Sequence, residues 1–305
     1  RLSDRVRHWM TLNEPQCFIG LGLLDGIHAP GDKLGLAEAL RAGHHTLLAH
    51  GRAVQVIRAR AKSEPIVGYA PTGTPVMPKD EDDPDNVEAA RRAMFAVNNR
   101  NCWNISWWSD PVILGHYPED GLSTYGADAP EVKDGDFDIM CQPLDFYGVN
   151  IYNGWTIGRN KQGKFRNVGR PQGHAVCANK WPVTPAALYW APRFYYERYK
   201  LPITICENGL SCHDWVSVDG QVHDPQRIDF TTRYLREFER VGEDGVPIEG
   251  YFHWSAFDNF EWAEGYNERF GLVYVDYQTQ ERIVKDSGRW YRGVIESNGG
   301  VLGTG

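Results

Sequence analysis

The sequence predicts a parallel α/β fold with loops disposed as in a (β/α)8 barrel. Short β-rich apolar runs alternate with longer helical patterns along most of the 305 residues, the pattern of strand–helix–strand units around a parallel sheet. Long loops follow two of the runs, at 153–180 and 208–223. In a (β/α)8 barrel, loops at the strand C-termini build the active site. Only five strands can be counted, and no repeat, low-complexity segment or linker divides the chain.

The first strand is expected at 7–12, where an apolar run leads to Asn13 and Glu14 and Pro15 ends the ladder. His8, beside Trp9, is expected in the core. An amphipathic helix follows at 34–61, interrupted near Gly43, and the second strand is "PIVGYA" at 65–70. A helix from Pro84 to about Trp108 opens behind the acidic stretch "DEDDPDN". The third strand is placed at 145–151, a helix at 185–199 and the fourth strand at 203–206. A helix from Pro225 to about Glu239 and a fifth strand at 248–254 complete the alternation. The terminal "SNGGVLGTG", 297–305, is expected to be loose.

A chain that is 42% hydrophobic and 24% charged can bury a sizeable core. Its net charge of −8 argues against a nucleic-acid partner, which needs a basic face. No apolar run approaches the roughly 18 residues of a membrane span, so no membrane partner is expected. No signal-peptide pattern stands at the first residue, and a cytoplasmic location is the expectation. The six cysteines form no C-x-x-C pair and read as reduced thiols. Cys206 has no histidine near it in sequence and reads as a small buried residue.

Metal and cofactor chemistry find little support. His44, His45 and His50 lie on or beside a helix without H-E-x-x-H spacing. The glycines at 20, 22, 299 and 300 lack the strand–helix setting of a phosphate loop, and no G-x-S-x-G elbow occurs. No metal and no cofactor are expected. Aromatic residues, 12% of the chain with 11 Trp and 15 Tyr, are efficient packing units. Several stand beside polar residues at strand ends, where rings stack on sugars.

Two strand ends share one form. "TLNEP" (11–15) and "ITICENG" (203–209) each set a glutamate, Glu14 and Glu207, beside asparagine. Two carboxylates flanking a glycosidic bond can divide the work, one protonating the leaving oxygen and the other attacking the anomeric carbon. Their pKa values must then differ. A third segment, 250–277, leads from a strand into a loop bearing Trp254, Asp258, Asn259, Glu261, Trp262, Glu264 and Tyr266. Carboxylates and amides of that kind grip hydroxyls in pairs while indoles cover sugar faces.

Taken with "SWWSDPVILGHYP" (106–118), "DFYGVNIY" (145–152) and "WPVTP" (181–185), these motifs resemble glycoside hydrolase family 1, the retaining β-glucosidases and β-galactosidases. The resemblance runs in order up to about Ile295. It implies Glu14 as acid/base, Glu207 as nucleophile and Tyr152 as the phenol that orients the nucleophile. It also implies Asn13 as ligand of the 2-hydroxyl, with Asn150 a further substrate contact. Trp254 would floor the sugar site, Glu261 and Trp262 would hold its distant hydroxyls, and Trp181 would stack on the leaving group. Glu14 would be raised in pKa by a dry setting, Glu207 would stay ionised, and the two carboxyls would stand about 5–5.5 Å apart, as retention requires.

The implied substrate is a terminal β-D-glucoside, with β-galactosides or β-fucosides as further candidates. The family's thioglucosidases replace the acid/base with glutamine, and here it is Glu14. Its 6-phosphoglycosidases lack the acidic residue at 261, and Glu261 would repel a phosphate. Asn179-Lys180 replace a common methionine-glycine pair, and Ile151 replaces a usual tyrosine.

One departure is large. In this family the N-E-P glutamate ends the fourth barrel strand, and the segments before it, with a Gln and a His-Trp region that contact the sugar, have no counterpart in this sequence. Residues 1–305 would then form one partial barrel domain covering strands four to eight. Open strand edges invite pairing, so a complementary N-terminal polypeptide or self-association is expected, and the chain alone should hydrolyse glycosides poorly. A glycan-binding half-barrel without activity and a transglycosidase are the rival readings.

Overall fold

The computed structural model describes residues 1–303. Five parallel strands lie side by side in chain order: β1 (His8–Asn13), β2 (Ile66–Ala70), β3 (Phe146–Asn150), β4 (Ile203–Asn208) and β5 (Ile248–His253). Between them run α1 (Leu36–Arg60), α2 (Pro84–Phe95), α3 (Ser106–Ile113), α4 (Ala187–Tyr199) and α5 (Pro225–Glu243), and α6 (Asp286–Glu296) follows β5. The strand order is therefore the one the sequence predicts.

The alternation of strand side chains divides the sheet into two faces. Tyr69, Tyr147, Val149, Ile203 and Ile205 are fully buried, in one core with helix residues such as Leu47, Trp108 and Phe194. On the other face His8, Met10, Phe146, Thr204, Cys206 and Phe252 line an open trough of about 160 Å³. All of β3 is buried, whereas β1 and β5, the two edges, are partly exposed along their length. This corrects the expectation for His8, which is exposed because an edge strand has a neighbour on one side only.

Two helix expectations also change. The helix at 36–60 runs unbroken through Gly43, because a Cβ there would lie 2.8 Å from the Trp108 indole. Glycine is kept for that close approach, not for a break. The helix expected from Pro84 to Trp108 is two helices. Ser106 Oγ donates to the Phe95 carbonyl and Asn104 Oδ1 accepts from Trp107 N–H. Side chains thus satisfy both helix ends, and 96–105 crosses between them as an irregular connection.

Small sheets occupy the loops after the strands. Val76–Pro78, Trp155–Arg159 and Phe165–Asn167 form one, and Val273–Val275 pairs with Arg282–Val284 in another. Of the tail expected to be loose, 300–303 form a 3-10 turn that buries Leu302, whose carbonyl accepts from Arg236; 304 and 305 lie outside the described residues. No helix among the described residues is long and apolar enough to cross a membrane.

Candidate active site

The C-terminal ends of the parallel strands bring the glutamates together. Asn13 pairs in register with Ala70, Thr72 bridges to Asn150, and Asn150 is the direct partner of Glu207. Residues separated widely in sequence thus reach one layer. Pro15 opens a short helix, Pro15–Ile19, and Glu14 caps it in the left-handed region at φ 46°. A non-glycine residue held there is strained and needs its surroundings to fix it. Glu14 N–H donates to the Ala70 carbonyl at 2.8 Å, and the Glu14 carbonyl accepts from Cys17 N–H at 2.9 Å.

The side chains form one hydrogen-bonded chain. Asn150 Nδ2 donates to Glu14 Oε1 at 2.9 Å and to Asn13 Oδ1 at 3.0 Å. Asn13 Nδ2 donates to Glu207 Oε1 at 3.3 Å, and the Tyr152 hydroxyl donates to Glu207 Oε2 at 2.7 Å. Two amides therefore connect the two carboxyls, and a phenol holds the far one. Burial, then the charge of Glu207, pushes the Tyr152 phenol well above its ordinary range, so it remains a donor.

Glu207, expected to stay ionised, is instead raised. Burial first, then the charge of Glu14, pushes the Glu207 carboxyl up to about 7, against the hydrogen bonds from Tyr152, Asn13 and Asn150 that favour its ionised form. Glu207 is half-buried among Tyr152, Asn150 and Cys206, where water solvates its charge poorly.

Sequence reasoning missed Cys17 and Gln16. Burial, then the charge of Glu14, pushes the Cys17 thiol far above its usual range, and Sγ donates to Glu14 Oε2 at 3.0 Å. Gln16 is fully buried; it donates to the carbonyls of Thr72 and Asn104 and accepts from Thr72 N–H. The proline-initiated turn after Glu14 was the available signal, since it returns the third residue onto the glutamate's side.

The remaining predicted residues divide. The Trp181 ring lies 5.0 Å from Tyr152 and 6.2 Å from Phe270. Trp254 donates to Glu261, whose carboxyl is raised by burial and also feels the charge of Glu14. Trp262 stands outward, 61% exposed, and stacks on His28 at 5.4 Å.

The loop bearing these residues is anchored from below by buried ion pairs. Lys285 Nζ contacts Asp258 at 2.8 Å and Asp214 at 2.6 Å, and Arg269 contacts Asp258 at 2.5 Å. Arg227 bridges Asp214 and Asp224. The three cations and three carboxylates balance, which lets them be buried together.

Paired carboxyls at parallel strand ends, tied through amides and a phenol, are an arrangement for acid/base and nucleophilic work on a glycosidic bond. The model of glycosyl hydrolase family 1 matches residues 1–300. The chain belongs to that family. Beta-glucosidase A of Thermotoga maritima is 39% identical over 300 residues, covering 97% of this chain and 65% of that protein. A bifunctional beta-D-glucosidase/beta-D-fucosidase of Bifidobacterium breve is 37% identical over 315 residues. The solved Thermotoga maritima beta-glucosidase in complex with deoxynojirimycin superposes with a TM-score of 0.83 at 38% identity, over 97% of this chain and 65% of that one. The chain thus spans about 65% of the length of these family 1 relatives.

Proposed function

We propose that this chain carries the catalytic carboxyls of a retaining β-glucosidase acting through a covalent glycosyl-enzyme. The observation that carries the proposal is the continuous chain Glu14–Asn150–Asn13–Glu207–Tyr152. Glu207 attacks the anomeric carbon while Glu14 gives its proton to the leaving oxygen, and the aglycone departs. Glu14 then takes a proton from water, which attacks the same carbon, displaces Glu207 and restores the β configuration. Asn13 and Asn150 contact the sugar, Tyr152 aligns the attacking oxygen, Trp254 and Glu261 form the sugar floor and rim, and Trp181 receives the leaving group. Trp262 reaches the sugar only by turning from His28.

The five strands are the fourth to the eighth of the barrel, and the portion of the relatives that this chain lacks would cover the trough between β5 and β1. Activity of the chain alone should accordingly be low. The test is the initial rate on an aryl β-glucoside, with Glu207→Gln as control, alone and with the missing segment supplied. Loss of all turnover in the control supports the assignment; equal rates in both overturn it. Because Glu207 must be ionised to attack, kcat/KM of the chain should rise with pH through about 7.

A further inference from the structure

Two of the free thiols, Cys177 and Cys212, are distant in sequence but stand on segments that touch. Ala178 N–H donates to the Ser211 carbonyl at 3.1 Å, and Asn179 N–H donates to Ser211 Oγ at 2.9 Å. Each cysteine is the next residue outward from that contact, Cys177 before Ala178 and Cys212 after Ser211. Their own amides turn elsewhere. Cys177 N–H donates to the Trp181 carbonyl at 2.8 Å, and Cys212 N–H donates to the Arg269 carbonyl at 3.0 Å.

On an antiparallel course the two cysteines form a non-hydrogen-bonded pair, whose facing side chains come closest and whose Cα atoms stand about 4.5 Å apart. A disulfide spans Cα separations of about 4.4–6.8 Å. A parallel course would set Cys177 opposite Leu210 instead. The electrostatics favour the first: after burial, the strongest influence on the Cys177 thiol is the charge of Cys212. The other four thiols face different neighbours. Cys17 donates to Glu14, Cys206 Sγ lies 3.2 Å from Met10 Sδ, Cys102 lies over Gly20 and Cys141 over Gly115.

The two sulphurs are unequal. Cys177 is buried and Cys212 half-buried. Burial pushes Cys177 up to about 12 and Cys212 up to about 11, and the Arg227 guanidinium draws Cys212 back down. A thiolate at Cys212 therefore has a cation near it and an open side, which suits it to attack, while Cys177 is placed to resolve.

The two segments differ as well. The one after β4 is packed tightly: a Cβ on Gly209 would lie 2.0 Å from the Trp254 carbonyl oxygen, and Ser211 is buried. The other ends the long loop 153–180 in a turn, where Lys180 N–H donates to the Cys177 carbonyl at 3.0 Å and Lys180 sits at φ 68°. That turn carries Trp181, whose ring stands 39% exposed beside Tyr152.

We propose that Cys177 and Cys212 are a reversible thiol–disulfide pair that locks the Trp181 turn to the segment after β4. The Cys212 thiolate attacks one sulphur of a small organic disulfide and releases a first thiol. Cys177 loses its proton and attacks the Cys212 sulphur of the mixed disulfide, releasing the second. The cysteines give up two electrons and two protons, and the small disulfide becomes two thiols. The oxidant has to reach Cys212 alone, so burial of Cys177 is no obstacle. None of this depends on the glycosidase reading.

The test treats the folded chain with hydroxyethyl disulfide at about pH 8.5, near the ordinary cysteine pKa, then alkylates the remaining thiols before digestion and mass spectrometry. The parent should lose two of its six thiols to a cross-link between the peptides carrying 177 and 212, within one chain and reversed by dithiothreitol. Cys177→Ala should stop at the mixed disulfide on Cys212, and Cys212→Ala should slow reaction at Cys177 at least tenfold. Hydrogen exchange at 177–182 should slow about tenfold on oxidation of the parent and stay unchanged in either variant. A cross-link to another cysteine or between two chains, a parent that stops at the mixed disulfide, or unchanged exchange in the cross-linked parent would overturn the proposal.

Discussion

Glu207 holds its charge against its surroundings. Its carboxyl is raised to about 7 in the folded chain, while an unfolded glutamate titrates near 4.3. Below about pH 4 both states are protonated and the group has no effect on stability. As pH rises toward 7 the unfolded state ionises first, so folding is progressively disfavoured, and above 7 the loss is constant. Discounted for half-burial, that loss is on the order of 2 kcal/mol. Glu207→Gln removes it, keeps an acceptor for Tyr152 and gives up the longer bond from Asn13. The variant should therefore melt a few °C above the parent at pH 8 and equal to it at pH 4, measured by calorimetry at both values. A gain of equal size at pH 4 would mean that charge is not its cause.

At the scale of elements, close packing fixes α1. A Cβ on Gly51 would lie 1.7 Å from the Ile139 carbonyl oxygen, whereas one on Gly43 meets only the Trp108 ring. A backbone carbonyl cannot turn aside as an indole can. Gly51→Ala should cost more than about 3 kcal/mol, and Gly43→Ala about 1–2 after its gain in helix propensity; urea midpoints would rank the two. The loop after β5 depends in the same way on Asp258, which accepts from Lys285, Arg269 and Gly271 N–H. Asp258→Asn leaves Arg269 without its carboxylate and Lys285 with Asp214 only, and should cost about 3–5 kcal/mol, with faster hydrogen exchange across 255–273. Such contacts mark the limit of the sequence reading. The five strands and both glutamates were legible because strands declare themselves by apolar runs and N-E-P and E-N-G stand at their ends. The three-residue strands at 76–78 and 165–167 are too short for any period to show. Gly43 read as a break because its partner, Trp108, is distant in sequence. The Cys17–Glu14 bond was within reach, three residues apart, but needed the turn at Pro15 to be folded first.

At the scale of the whole molecule, the sheet has two edges and an uncovered inner face. Met10 and Phe252, on opposite edge strands, are 51% and 61% exposed and line the same trough. An apolar face flanked by strands with free backbone groups is a site of association. At micromolar concentration the chain should sediment above its monomer mass of 34.6 kDa and should enhance the fluorescence of a hydrophobic dye. Met10→Lys with Phe252→Glu places charges on both edges of the trough. That double variant should sediment as a monomer with several-fold weaker dye binding. On the proposal that the portion of the relatives beyond this chain covers the trough, supplying that portion should suppress association of the parent chain and raise its turnover together, since one surface would govern both. A parent chain that is monomeric and silent to the dye would show instead that the trough is not a sticky surface, and low activity would then have to arise at the glutamates themselves.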